Sequence, residues 1–117
     1  MVGLEQRHFT RPHERRFGRL GVIVPEHVQH AMLLGAGESV AFELTIPNDA
    51  AVVGRSVSEI AAQPDFPPSC VFAALFDRAG MMQSPRGATV VGAAQQVLLV
   101  ARRVEMPRVV ELFMRPR

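Results

Sequence analysis

Residues 70–86 read Cys70-Val71-Phe72-Ala73-Ala74-Leu75-Phe76-Asp77-Arg78-Ala79-Gly80-Met81-Met82-Gln83-Ser84-Pro85-Arg86. The first seven are apolar without alternation. Such a run predicts a strand covered on both faces, either central in its sheet or covered by a partner. Asp77-Arg78-Ala79-Gly80 has turn composition and predicts a hairpin into residues 81–85. Beyond it, Val97-Leu98-Leu99-Val100-Ala101 predicts the next strand. Pro107 then opens a closing helix whose apolar stripe is Val109, Val110, Leu112 and Phe113.

Towards the amino terminus, Val40, Phe42, Leu44 and Ile46 alternate with Ala41, Glu43 and Thr45, the period of a half-buried strand. Pro47-Asn48-Asp49 is a turn. Ser56, with Glu59 three residues on, predicts a capping box on a short helix that buries Val57, Ile60 and Ala61. Pro64, Pro67 and Pro68 stiffen the loop that follows. Gly21-Val22-Ile23-Val24 is a short strand that stops at Pro25. Pro25 then suits the first position of a helix from Glu26 to about Leu34, with Val28, Ala31, Met32 and Leu34 on one side and Gly35-Ala36-Gly37 as its end. Residues 1–20 are read as a flexible Arg-rich arm, residues 21–38 as a linking strand and helix, and residues 39–117 as the folded domain. No internal repeat is present.

A length of 117 residues suits one domain, and 48% hydrophobic with 21% charged residues excludes wholesale disorder. No apolar run approaches the roughly 20 residues of a membrane span, and the polar amino terminus is not read as a secretory signal. The single cysteine, Cys70, excludes an internal disulfide framework and suits a reducing compartment. All 13 basic residues are arginine. Residues 1–20 carry five Arg against Glu5 and Glu14, and residues 102–117 carry five against Glu105 and Glu111. Between them, three Arg face seven acids. The net +2 therefore separates into an acidic body and two basic ends.

Catalytic chemistry finds little support. Cys70 opens an apolar strand with no His nearby in sequence, and reads as a small hydrophobe. Ser56 and Ser58 lie in no G-x-S-x-G setting, and capping accounts for Ser56. The expectation is a protein that is not an enzyme. His27 and His30 are three apart, a ligand spacing on a helix. A metal needs three or four ligands, however, and His8 and His13 lie in the arm, so exposed histidines and no metal are expected. Arg7, Arg11, Arg15, Arg16 and Arg19, interleaved with Phe9 and Phe17, are suited to neutralise phosphates and stack on bases. The acidic body, the lack of Tyr and Trp and the lack of a helix-turn-helix pattern favour instead an arm that is solvated or docks on a partner. The same default applies to Arg102, Arg103, Arg108, Arg115 and Arg117, whose alternative is anionic lipid or an acidic partner.

Taken in order, residues 42–113 resemble the TrkA-C domain, the ligand-binding half of RCK (regulator of potassium conductance) modules. Val53-Gly54-Arg55-Ser56-Val57 is similar to the family's "hGxSL" turn into a short helix. The apolar strand ending at Arg78-Ala79-Gly80 is similar to its "AIxRxG" hairpin, and Ser84-Pro85-Arg86-Gly87-Ala88-Thr89-Val90-Val91 to its "xPxGxTxL" loop. Where the family has Gly-Asp before the last strand, this chain has Ala94-Gln95, and Pro67-Pro68 lengthens the loop after the first helix. Val22-Ile23-Val24-Pro25 is similar to the end of an RCK nucleotide-binding half. No G-x-G-x-x-G follows any strand, and about 40 residues cannot form a Rossmann half, so no NAD binding is expected.

The resemblance implies an α+β fold: a β-α-β-β-β-α sandwich of the TrkA-C type preceded by a short strand–helix linker, and dimeric. It implies a cytoplasmic regulatory domain of a potassium or sodium/proton channel or antiporter, with a small effector held between two subunits and no other cofactor. The effector-binding residues it implies are Phe72, Ala73, Ala74, Arg78, Ser84, Pro85 and Arg86. Some members bind cyclic di-AMP. Here Gln63 and Pro64 stand where those members place a basic residue after the first helix, and the hairpin holds no His. The alternatives are an interaction module that docks through its Arg-rich ends without an effector, or a nucleic-acid-binding arm.

Overall fold

The computed structural model describes residues 14–17, 22–25 and 27–117. Its elements are β1 (Glu14–Phe17), β2 (Val22–Pro25), β3 (Val28–Leu34), β4 (Ser39–Thr45), α1 (Val57–Ala61), β5 (Val71–Phe76), β6 (Met82–Gln83), β7 (Gln96–Arg102) and α2 (Met106–Met114). β1 and β2 pair antiparallel; the rest of the Arg-rich arm lies outside the described residues. The other five strands form one antiparallel sheet in the order β3-β4-β7-β5-β6. From β4 onward the chain runs β-α-β-β-β-α.

Residues 28–34 are a strand and not the expected helix. β3 pairs with β4 from Val28↔Leu44 to Leu34↔Ser39, with a bulge between Val28 and His30. A bulge sets two residues against one and shifts the alternation by a place. The inward positions of β3 become Val28, Ala31 and Leu33, opposite Leu44, Phe42 and Val40. The spacing of three from Val28 to Ala31 imitates a helical stripe. Gly35-Ala36-Gly37 is accordingly a hairpin turn, with Gly35 at φ 56° and Gly37 at φ 92°. The linker expected at residues 21–38 thus contributes an edge strand to the main sheet, not a crossover helix.

The central strand is β7; of the two readings of the 70–76 run, central or covered by a partner, the sheet order excludes the first. β5 lies next to the edge, with only the two residues of β6 outside it. It too carries a bulge, between Phe72 and Ala74. Phe72 is opposite Leu99 and Leu75 opposite Val97, so both face inward although they are three residues apart. Phe72 stacks on Phe66, with centroids 5.7 Å apart, and meets Phe113 edge-on at 5.8 Å.

The core lies between the inner face of the sheet and the helices. The sheet supplies Val28, Val40, Phe42, Leu44, Leu75, Val97, Leu99 and Ala101; α2 supplies Met106, Val109, Val110, Leu112 and Phe113. The predicted stripe of α2 is fully buried, and a Pro occupies its first turn as expected. Ser56 forms the predicted capping box: its hydroxyl accepts from the Glu59 N–H at 3.1 Å, and its own N–H donates to the Glu59 carboxylate at 2.8 Å. Of the α1 residues expected inside, Ile60 is buried, Val57 half-buried and Ala61 exposed, because a helix this short presents only one residue squarely to the core.

The loop of residues 87–91 is bonded to α1 and to the turn before it. The Gly54 N–H donates to the Val91 carbonyl at 2.8 Å, Val57 to Thr89 at 2.9 Å, and Ser58 to Gly87 at 3.0 Å. Gly54 has φ 88°, a left-handed conformation that favours glycine. Before β7, Ala94 occupies the same region at φ 65°. The Gln95 side chain accepts from the Gly92 N–H at 2.7 Å, holding the turn where the resembled family has Asp. The two positions are opposite tests of one constraint. A left-handed L-residue costs about 1–2 kcal/mol, against about 0.5–1 kcal/mol of added chain entropy for Gly. Ala94→Gly is expected to raise the thermal midpoint, and Gly54→Ala to lower it by an amount worth about 0.5–1 kcal/mol. Calorimetry of the two variants checks both signs.

Candidate functional site

The helices cover one face of the sheet, and the other face is the outstanding surface of the described residues. Its side chains follow from the register. One row crosses four strands as Met32, Ala41, Val100 and Val71. A second runs His30, Glu43, Leu98 and Ala74, and a third runs Thr45, Gln96, Phe76 and Met82. Met32, Val71 and Met82 are 59%, 55% and 65% exposed, and Met81 beside them is 66% exposed. The apolar side chains concentrate over β7, β5 and β6, and polar ones lie towards β3. Contiguous apolar surface of this kind, rimmed by polar groups, is the usual mark of an interaction site.

The polar rim is internally paired. His30 Nδ1 lies 2.8 Å from a Glu43 carboxylate oxygen. The Gln29 amide donates to the Thr45 hydroxyl at 2.6 Å, and Gln96 donates to Gln29 at 3.4 Å. His27 and His30 no longer share a helical face, and no cluster of three or more metal-ligating side chains occurs among the described residues.

The seven residues expected to bind an effector fall into three groups. Phe72 points inward and is half-buried in the aromatic cluster with Phe66 and Phe113. Ala73 is the extra residue of the bulge and is exposed, and Ala74 lies on the outer face, where its neighbours bury it. Arg78 stands in the hairpin beyond β5. That hairpin is tied by the Asp77 carboxylate, which accepts from the Ala79 and Met81 N–H groups, each at 2.9 Å. Ser84, Pro85 and Arg86 follow β6, and the Arg86 N–H donates to the Thr89 hydroxyl at 2.9 Å, within the loop bonded to α1. The outer face therefore gathers Ala74 and the hairpin flank, while Phe72 serves the core. The sequence reading missed Met32, Ala41, Leu98 and Val100. A signal for two of them was present: 97–101 is apolar at every position, as 70–76 is.

Cys70 precedes β5 and is buried, and burial pushes its thiol up to about 12. It stays protonated at neutral pH and makes a poor nucleophile. Asp65 is held below its ordinary value by the hydrogen bond from Arg115 at 2.6 Å, which ties the end of α2 to the Pro-rich loop. Arg115 is thereby engaged within the chain; Arg102, Arg103, Arg108 and Arg117 are exposed, and Arg108 lies 3.6 Å from Glu105. No helix among the described residues is long and apolar enough to cross a membrane.

No protein-family model matches the chain, and no curated protein does. Solved structures do. The crystal structure of the GsuK RCK domain superposes with a TM-score of 0.58 at 16% identity, covering 75% of this chain and 18% of that one. The GsuK channel bound to NAD gives 0.58 at 16% identity, over 74% of this chain and 15% of that one, and the GsuK channel gives 0.57 at 16% identity over the same shares. The chain spans less than a fifth of the length of these structures. The α+β fold, with its five-stranded antiparallel sheet, is one that RCK-domain structures share.

Proposed function

We propose that the chain is a non-enzymatic regulatory domain of a cation transporter or channel, acting in the cytoplasm as a homodimer that pairs through the outer sheet face. The observation that carries this reading is the exposed apolar row Met32–Ala41–Val100–Val71 with Met82 and Leu98, on a fold shared with RCK domains. Three strands of seven residues, one of six and one of two, at about 3.4 Å per residue and about 4.8 Å between strands, make a face of roughly 470 Å² before side-chain relief is counted. That is more than half of the ~800 Å² each partner contributes to a standard interface.

An effector bound in the cleft of such a dimer, beside Ala73, Ala74, Arg78, Ser84, Pro85 and Arg86, would bias its arrangement and pass that bias to the membrane partner. Cyclic di-AMP is the ligand to test first, since Arg78 and Arg86 supply the charge its phosphates need. The second reading, a docking module without an effector, rests on the exposed Arg102, Arg103, Arg108 and Arg117.

Light scattering at micromolar concentration is expected to give a dimer, and Val71→Glu, at a position already 55% exposed in the protomer, a folded monomer. A monomeric parent chain would refute the pairing. Cyclic di-AMP at ~100 times its dissociation constant is expected to stabilise by ~2.7 kcal/mol in a thermal-shift assay. No shift with it or with adenine nucleotides would leave the docking module in its place.

A further inference from the structure

Sulfur is unevenly placed in this fold. The one thiol, Cys70, is buried before β5, whereas three of the six methionines stand on or beside the outer sheet face. Met32 on β3 is 59% exposed, Met82 on β6 65%, and Met81, next to it at the end of the hairpin, 66%. By contrast, Met106 is 1% exposed and Met114 is half-buried against the core. We propose that Met32, Met81 and Met82 are sites of reversible oxidation by peroxide, and that sulfoxides at Met32 and Met82 release the two outer faces from each other. The second half of this inference rests on the pairing proposed above.

Apolarity alone does not call for methionine at these positions. β-branched side chains suit an exposed strand better, and ordering a methionine at an interface costs more rotamer freedom than ordering Ile or Leu. What the thioether adds is a sulfur that can take up oxygen. Its lone pair attacks one peroxide oxygen, the O–O bond breaks and an S–O bond forms. Sulfur is oxidised by two electrons, and the hydroxide left behind takes the proton of the transferred oxygen and departs as water. Cys70 does not compete for the oxidant, because it is buried and the reactive form of a thiol is the thiolate, which burial disfavours here.

A sulfoxide replaces a flexible apolar group by a polar one and so disrupts Met-rich interfaces. The row of Met32 continues through Ala41, Val100 and Val71, and none of these side chains carries a donor for the new oxygen. Met82 lies opposite Phe76, which offers none either. Closing the faces over a sulfoxide therefore strands an acceptor away from water. Peroxide reaches Met32 and Met82 while the faces are apart, and each oxidised chain is withdrawn from the pairing equilibrium. The reverse step returns the oxygen as water, with two electrons from a dithiol that ends as a disulfide, and one reductase acts on each sulfoxide epimer.

The test treats the full chain with hydrogen peroxide, maps oxygen addition by peptide mass spectrometry and follows the oligomeric state by light scattering. Met32, Met81 and Met82 are expected to gain one oxygen each, with Met106 and Cys70 unmodified. Modification of Met32 and Met82 is expected to slow as protein concentration rises, and to lose that dependence in Val71→Glu. Oxidation is expected to raise the dimer dissociation constant about tenfold or more, and methionine sulfoxide reductases with a dithiol to restore it. In a chain carrying Met32→Leu and Met82→Leu, peroxide is expected to change that chain's own dissociation constant by less than about twofold. Absence of oxygen at Met32 and Met82, or modification of Met106 as fast as theirs, would overturn the sites. A chain that pairs as tightly with both outer-face sulfoxides, or an equal response in the Leu variant, would overturn the switch. An untreated chain that is monomeric at every concentration would refute the pairing itself, so the untreated sample separates that failure from failure of the switch.

Discussion

The bulge in β5 between Phe72 and Ala74 fixes which side chains the sheet can bury and which it must leave outside. Without it, Phe72, Ala74 and Phe76 would share one face and Leu75 would leave the core, because the alternation of a regular strand is strict. With Ala73 set out as the extra residue, Phe72 and Leu75 both enter the core. Phe72 completes the cluster with Phe66 and Phe113 that joins the sheet to the Pro-rich loop and to α2. The same shift delivers Val71, Ala74 and Phe76 to the outer face beside Val100, Leu98 and Gln96. Core and exposed apolar face are thus two results of one added residue.

The motifs that resemble the TrkA-C family turn out to be mutually bonded. The Gly54 turn and the 84–91 loop exchange backbone hydrogen bonds, with Gly54 donating to Val91 and Val91 donating to Arg55. Their residue types serve the architecture first: a left-handed glycine, a capping serine, and a threonine whose hydroxyl closes its own loop on Arg86. At Ala94-Gln95 the turn holds a left-handed alanine and is closed by the Gln95 carboxamide, which accepts from the Gly92 N–H. Structural use of these residues leaves the outer face as the surface with spare chemistry.

Much of this was legible in the sequence, wherever one local rule governs. The alternation in β4, the capping box at Ser56, the hairpin at Asp77 and the stripe of α2 each follow from a period or a cap. β3 was not legible, because its bulge spaces Val28 and Ala31 by three and Pro25 suits a helix start as well as a strand end. Only pairing with β4 distinguishes the two readings, and pairing is a long-range property. The rank of β5 in the sheet was hidden for the same reason: an apolar run on both faces reports that both are covered or sticky, not which strand lies at the centre.

The measurement that bears most directly on the outer face is a filtered NOE experiment on a mixture of isotope-labelled and unlabelled chain. Contacts between protomers are predicted from the methyl groups of Met32, Val71, Met82, Leu98 and Val100. An absence of intermolecular contacts from these methyls, or a set of contacts confined to the helical face of α2, would contradict it.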